Sequence, residues 1–567
     1  MSFRFIRSER GEITRIKSNL TGRALIHHPF LNKGTAFTEV ERNAWGLAGL
    51  LPDHVETLDE QLTRAYEQYA VCMTDIDKNL YLQSLLAYNA TLFYRLVQDH
   101  FLEMVPIIYT PTIGDVIEKF SHLFRQSPGL FLTYPHRDQI DGALAAYQQQ
   151  VSAVDLIIVT DGEGILGIGD QGTGGIYICL GKAMIDTLCA GIDPTRILTI
   201  QLDVGTNNET LLNDPLYLGW RHSRITGRDY DEFIDLFIEK VKKYFPTVFL
   251  HWEDFSRDVA RRNLDRFRQT LCSFNDDIQG TGVVAVATLM SAVHRLGQKL
   301  SDQRIVMFGA GAAGTGVSDQ IVKALQKEGL SYEAACEKIW LINRQGLLVE
   351  GMDNISDFQR CYMKTAAHTK NWRVKEAMKI TLAEVVDNLH PTVLMGMSTV
   401  AGAFNESIVT AMASHVDHPI IMPLSNPTAK AEATPSDLIR WTEGKVLVAT
   451  GSPFAPVVWN GRSITIAQCN NAFAFPGMCL GALAVKARQF TDAMLVVACE
   501  TLGQCAGLGK SLEEPLLPSL DQAKAISEKI AYAVAEEAIV EGVAEKTDIA
   551  CAIRAMQWAP QYYDYEL

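Results

Sequence analysis

Apolar positions change their period along this chain, and the changes outline its parts. Between residues 36 and 130 they recur at helical spacing, as in Leu58-Asp-Glu-Gln-Leu-Thr-Arg-Ala-Tyr66 and Tyr81-Leu-Gln-Ser-Leu-Leu-Ala-Tyr88, so this stretch is predicted to be helical. Short β-branched runs follow at 154–160, 197–204 and 247–250, with longer segments between them. That alternation reads as parallel strands joined through helices. A second such set begins at Arg304-Ile-Val-Met-Phe308 and continues at 339–342, 393–395, 419–422 and 446–449. The run Gly280 to Val293 is small and apolar throughout and reads as a buried helix. Residues 520–557 are Ala-rich and predicted helical, and the mixed, basic residues 1–30 are expected to form an arm. The pattern predicts an α/β protein with a helical N-terminal region (1–130), an α/β domain (131–275), a second α/β domain (276–465) and a return to the first (466–567). No repeat, low-complexity tract or long linker separates these parts, so they should meet at a tight cleft.

At 567 residues and 47% hydrophobic, the chain can build two or more large cores. Its net charge of −15 excludes general attraction to nucleic acid or an anionic membrane. An anionic ligand would therefore need local positive charge. Eleven cysteines, an odd number without a Cys-x-x-Cys pair, read as reduced thiols of a cytoplasmic protein. The start, Met-Ser-Phe-Arg-Phe-Ile-Arg, has no long apolar core, so no secretory signal is expected. The apolar run at 280–293 is shorter than the roughly 20 residues that span a bilayer.

Ser273-Phe-Asn-Asp-Asp-Ile-Gln-Gly-Thr281 sets two acids, Asp276 and Asp277, against that buried helix. A second acidic pair, Glu253-Asp254, lies in Leu250-His-Trp-Glu-Asp-Phe255. Buried charges are costly unless compensated, and three carboxylates from two segments suit a hard dication, Mn²⁺ or Mg²⁺. Gly309-Ala-Gly-Ala-Ala-Gly314 follows a strand and opens a helical segment, the setting in which Gly309, Gly311 and Gly314 bind a dinucleotide pyrophosphate in a Rossmann-type domain. Gly167-Ile-Gly-Asp-Gln-Gly172 has the same spacing, but Asp170 inside it would repel phosphate, and it reads as a Gly-rich active-site loop. The next strand closes on Asn343-Arg344. Asn343 lacks the charge that rejects a 2′-phosphate and Arg344 can pair with one or stay solvated, which leaves NAD and NADP both open. Taken singly, Tyr109, Lys182, Asn426 and Asn470-Asn471 have ordinary readings as a core tyrosine, a snorkelling lysine at a helix start, and turn asparagines.

Taken together the segments resemble the malic enzyme family. Tyr109-Thr-Pro-Thr, Thr160-Asp-Gly-Glu-Gly-Ile-Leu-Gly-Ile-Gly-Asp170, Leu202-Asp-Val-Gly-Thr-Asn-Asn208, Asp214-Pro-Leu-Tyr217, Glu253-Asp-Phe255, Phe274-Asn-Asp-Asp-Ile-Gln-Gly280, Pro423-Leu-Ser-Asn-Pro427 and Asn470-Asn471 occur in the family's order over residues 15–565. The resemblance implies that Glu253, Asp254 and Asp277 ligate Mn²⁺ or Mg²⁺, that Lys182 assisted by Asp276 is the general base, and that Tyr109 is the general acid. It implies that Asn426 and Asn471 hold the carboxylates of L-malate, with Asn470 beside the cofactor. It further implies oxidative decarboxylation of malate to pyruvate with NAD, in a cytoplasmic homodimer or homotetramer. Free Lys and Tyr both titrate near about 10, so each should need a downward shift, which burial beside a cation can give Lys. One residue departs from the family. Many of its members carry Arg where this chain has Gly164, a position that faces the substrate. The same Glu-Gly pair resembles malolactic enzymes, which reduce the pyruvate to lactate with the cofactor still bound. The stretch Ala449-Thr-Gly-Ser-Pro-Phe454 resembles bacterial NAD-type malic enzymes, which favours pyruvate release. A non-catalytic metabolite-binding protein on this scaffold should lack Lys182, Tyr109 or a metal carboxylate, and all are present.

Overall fold

A computed structural model describes residues 3–507 and 511–566. The N-terminal region is helical as its period predicts. Helix Leu58–Ala70 is started by a capping box between Thr57 and Glu60 and buries the stripe Leu62, Ala65 and Tyr69. The expected arm is instead a hairpin, Phe3–Arg7 antiparallel to Ile13–Ser18, joined by the distant strand Asp564–Glu566. Phe5 meets the Tyr563 ring edge-on at 6.2 Å, so apolar contact ties the two ends of the chain together.

Two parallel sheets carry the rest. The first has the spatial order Leu130–Thr133, Ile197–Asp203, Leu156–Thr160, Phe249–Trp252, Ser273–Asn275. Leu156–Thr160 lies at its centre and is wholly buried, which explains its unbroken apolar run. The second sheet runs Gly346–Leu347, Ile339–Asn343, Ile305–Phe308, Val393–Gly396, Ile420–Pro423, Leu447–Thr450, Ala467–Gln468, with only the first strand antiparallel. Ile305–Phe308 has the next strand in sequence on one side and a later one on the other. This is the switch point where α/β sheets bind ligands.

One close backbone contact between the two sheets needs a glycine. Helix Ala312–Lys327 of the second packs onto the turn Asp276–Gly280 that leaves the first. A Cβ on Gly316 would lie 2.8 Å from the carbonyl oxygen of Ile278, so only glycine lets these backbones meet. Downstream, the fully buried helix Phe475–Ala484 and the long helix Ala523–Val540 return the chain to the first sheet's side. Among the described residues no helix is long and apolar enough to cross a membrane.

Gly316→Val should lower the denaturant midpoint, at an overpacking cost of about 1–3 kcal/mol. Gly311→Ala should leave it unchanged, because a Cβ there meets only the flexible Arg257 side chain at 3.8 Å. Equal midpoints for the two variants in urea unfolding would show that the Gly316 contact does not join the sheets.

Candidate active site

Three neighbouring strands, Leu156–Thr160, Phe249–Trp252 and Ser273–Asn275, point the same way and end at one edge. The residues that follow them are the Gly-rich loop, Glu253-Asp254 and Asp276-Asp277, so sheet topology alone brings the predicted acids together. Glu253, Asp254 and Asp277 present carboxylate oxygens within 4.8 Å of one another. Glu253 and Asp254 are buried and Asp277 is half-buried. His251 lies two residues before Glu253 on the same strand face and makes a 2.8 Å contact from Nε2 to Glu253 Oε2. The backbone N–H of Asp254 donates to Asp277 Oδ2 at 2.8 Å. An all-oxygen, mutually repelling set of carboxylates fits a hard dication.

Lys182 meets this cluster from the other side. It is not at a helix start with its ammonium in solvent, as its sequence context suggests, but well inside helix Ile176–Ile185 and only 2% exposed. Its Nζ hydrogen-bonds Asp276 Oδ2 and lies 3.1 Å from Glu253 Oε1. The Phe475 ring sits 4.5 Å from Nζ and the Tyr109 ring 5.6 Å. Asn471 Nδ2 donates to Asp276 Oδ2 at 2.9 Å and to Thr281 Oγ1 at 3.1 Å, while Asp276 Oδ1 is buried without a partner. Lys182, Tyr109, Asp276 and Asn471 thus form one buried constellation against the three carboxylates.

Electrostatics here run opposite to the expected downward shifts. Burial alone would lower the Lys182 ammonium, but the Asp276 and Glu253 carboxylates outweigh it and hold it well above its ordinary value. Burial pushes the Tyr109 phenol up, against the pull of Lys182. Burial likewise raises Glu253 to about 8, opposed by Lys182, and Asp277 to about 7, helped by Glu253. Asp254 is pushed up by burial and then by Asp277 and Glu253. The expectation omitted the carboxylates' own field, which exceeds one ammonium.

Gly164 does not open onto space for a side chain. Its N–H donates to the Asp254 carbonyl at 2.9 Å, and a Cβ would lie 2.6 Å from the Phe255 carbonyl oxygen. Further along the same loop, a Cβ on Gly167 would lie 2.6 Å from the Asn426 carbonyl oxygen, which places Asn426 beside the site. Asn426 Oδ1 accepts from Ser452 Oγ at 2.5 Å.

The glycine-rich turn 309–314 sits at the switch point of the second sheet. Gly309 has φ +121°, and a Cβ on Gly314 would lie 1.9 Å from the Gly309 carbonyl, so the tight turn needs both glycines. Gly311 precedes helix Ala312–Lys327 with no side-chain cap, which leaves its first N–H groups to a ligand. Gln359, which the sequence did not single out, donates to the Ala310 carbonyl at 2.6 Å and steadies this loop. Asn343 Oδ1 is occupied by the Gln345 N–H at 2.7 Å, and Arg344 is exposed. Asn470 Oδ1 accepts from the Ala472 N–H at 2.9 Å and so shapes the turn that presents Asn471.

Known proteins share this architecture and sequence. Residues 87–268 match the family described as malic enzyme, N-terminal domain, and residues 278–539 match malic enzyme, NAD binding domain. The chain is 48% identical over 550 residues to an NAD-dependent malic enzyme of Vibrio campbellii, covering 96% of this chain and 97% of that one. It is 47% identical, with the same coverage, to NAD-dependent malic enzyme 3 of Bacillus subtilis. Among solved structures, Entamoeba histolytica malic enzyme superposes with a TM-score of 0.55 at 22% identity over 90% of each chain. Pyrococcus horikoshii malic enzyme superposes with a TM-score of 0.54 at 23% identity over 80% of this chain and 87% of that one. At these identities the likeness to the two structures is one of fold.

The raised carboxyls have a consequence for pH. Between about pH 5 and about pH 8 the folded, metal-free chain holds protons on Glu253 and Asp277 that the unfolded chain has released, so its stability falls as pH rises through that window. A dication that displaces those protons should restore stability most at the alkaline end. Thermal unfolding should therefore show a Mn²⁺-induced rise in Tm that is larger near about pH 8 than near about pH 6. A Mn²⁺ effect independent of pH would show that these carboxyls are not the ligands.

Proposed function

We propose that this chain, which belongs to the malic enzyme family, catalyses the oxidative decarboxylation of L-malate to pyruvate and CO₂ with reduction of NAD. The observation that carries the reading is the buried Lys182–Asp276 pair set directly against Glu253, Asp254 and Asp277. In this reading the three carboxylates hold Mn²⁺ or Mg²⁺, which when bound supplies Lewis-acid stabilisation of charge on the substrate oxygens. Gly309, Gly311 and Gly314 receive the cofactor pyrophosphate, and Asn343, Arg344 and Asn470 flank the rest of it. Asn426 orients a substrate carboxylate through its amide, and Asn471 does so on releasing the N–H groups it gives to Asp276 and Thr281. The cytoplasmic homodimer or homotetramer, and the division of the chain near residues 130, 275 and 465, belong to the same proposal.

The chain's own groups then divide the proton work. Lys182 accepts the 2-hydroxyl proton as hydride leaves, and must first lose the proton that Asp276 and Glu253 hold on it. Committing Glu253 to a dication removes much of that field. Asp276 takes the proton onward, since its Oδ1 is unpartnered and inside the cluster. Tyr109 carries its proton at neutral pH, as a donor to carbon 3 must, while burial, by holding its phenol up, makes it a weaker acid than a solvated tyrosine.

A second reading, lactate formation with the cofactor retained, rests on Gly164, where backbone contact leaves no room for a cation. The named relatives are NAD-dependent malic enzymes and support release.

With malate, NAD⁺ and Mn²⁺, NADH and pyruvate should appear in equal amounts. Malate consumed with lactate and no free NADH would establish the second reading instead. Lys182→Ala should lose about 10²–10⁴-fold in kcat for malate oxidation. Unchanged turnover of that variant would remove Lys182 from the base role. Asn343→Asp should shift kcat/KM toward NAD over NADP, because a carboxylate there repels a 2′-phosphate. An unchanged ratio would show that other residues set the choice.

A further inference from the structure

The Gly-rich loop between Asp161 and Gly172 is tied at both ends by one side chain. Arg224 lies between strand Ile197–Asp203 and helix Gly227–Tyr244, and its side chain is 2% exposed. Its Nε donates to Asp170 Oδ2 at 2.9 Å and its Nη2 to Asp170 Oδ1 at 3.3 Å. The same Nη2 donates to the Asp161 carbonyl at 2.7 Å, and Nη1 lies 3.6 Å from Asp161 Oδ2. Tyr230 donates its hydroxyl to Asp161 Oδ2 at 2.7 Å. Asp170 also accepts the backbone N–H groups of Asn207 and Gly172, at 2.8 and 2.9 Å. The acid that disqualifies this loop as a phosphate site is therefore a fastening point.

What the fastened loop touches is the metal segment. Leu166 donates its N–H to Asp254 Oδ2 at 3.0 Å, and Gly164 donates to the Asp254 carbonyl at 2.9 Å. Both Leu166 and Asp254 hold left-handed backbone conformations, φ +44° and +54°, that non-glycine residues adopt only when their surroundings impose them. Gly162, Gly164, Gly167 and Gly169 leave the intervening chain few constraints of its own. A loop so rich in glycine keeps such a geometry only if its ends are fixed.

We propose that Arg224 is a positioning residue for the metal site: by closing the Asp161–Asp170 loop it holds the Leu166 amide on Asp254 and aims that carboxylate at the cation. The proposal rests on Glu253, Asp254 and Asp277 being the ligands. It differs from a general stabilising role in what it predicts to change. Metal affinity depends on the loop, whereas dinucleotide affinity depends on the turn at Gly309–Gly314, which Arg224 does not touch.

The test uses the full-length protein freed of metal, with Mn²⁺ added alone and free Mn²⁺ read by electron paramagnetic resonance. NAD binding is measured separately by quenching of intrinsic fluorescence. Arg224→Lys keeps the charge but cannot span both acids, and Asp170→Asn keeps the shape while weakening the clamp. Each should raise the Mn²⁺ Kd by about 10-fold or more, the usual loss when a partner behind a metal ligand is removed, with NAD affinity retained. Tyr230→Phe, which leaves the guanidinium in place, should have a smaller effect. If Arg224→Lys does not fold, Asp170→Asn carries the test. Parental Mn²⁺ affinity in Asp170→Asn would overturn the proposal, as would Mn²⁺ and NAD affinity falling together. Asp277→Asn separates the two levels. Loss of Mn²⁺ in that variant but not in Asp170→Asn rejects only the role of Arg224, and retention of Mn²⁺ in Asp277→Asn rejects the metal assignment and this proposal with it.

Discussion

One ammonium, that of Lys182, stands among the carboxyl groups of Asp186, Glu253, Asp254, Asp276 and Asp277 in the interior of this chain. Their mutual repulsion in a poorly polarisable interior is far larger than it would be in water, and a single cation cannot offset it. Glu253, Asp254 and Asp277 respond by holding protons, and Lys182 by keeping its own. Such a cluster is an unfavourable thing to build for stability alone. A dication at the proposed site would supply the missing charge, and the same imbalance would then favour its binding. The apolar walls sharpen the effect. Phe475 and Tyr109 exclude water on the side of Lys182, and the buried His251 backs Glu253.

Holding that imbalance requires distant parts of the chain. Tyr109 comes from the N-terminal helices, Lys182 from the first sheet's crossover, the acids from two of its strand ends, and Phe475 and Asn471 from the returning C-terminal segment. Each contributes to one buried cluster, so no part of the chain builds the site alone. The nucleotide domain is coupled in the same way. The turn that starts at Asp276 carries the Lys182 partner, the Asp277 carboxylate and, at Ile278, the surface on which helix Ala312–Lys327 rests. The same turn therefore carries two of the clustered acids and part of the contact between the two sheets.

Much of this was legible in the sequence. Hydrophobic runs marked the central strands of both sheets, and the acid pairs stood out because they abut apolar segments. Legibility failed where information is non-local or where segments are very short. Leu130–Thr133 is a half-exposed edge strand and Ser273–Asn275 has three residues, two of them polar, so neither makes an apolar run, and the hairpin at the N-terminus mixes basic residues into its alternation. Lys182 looked like a solvated lysine because its ring neighbours lie in segments far along the chain. Its upward shift was missed because Asp276, Glu253 and Lys182 are adjacent only in the folded protein. Arg224 left no local signal at all, since its partners Asp170 and Asp161 lie 54 and 63 residues away.

Gly164 shows how far a missing side chain can be interpreted. Sequence comparison with the family makes it an absent cation. In the structure it is a backbone position pressed onto Asp254 and Phe255, where any Cβ must displace the segment that carries the Glu253 and Asp254 carboxylates. The absence is thus coupled to the metal site's geometry, and an arginine could return only with a compensating shift of that segment. A dicarboxylate bound here would rely on the dication for one end and on amides such as Asn426 and Asn471 for the other. Amides offer weaker hydrogen bonds to carboxylate than a guanidinium does, so more of the binding free energy must come from the metal. In the proposed site that dependence would raise the importance of how firmly Asp254 is held, and the loop bearing Gly164 is the segment whose Leu166 N–H reaches it.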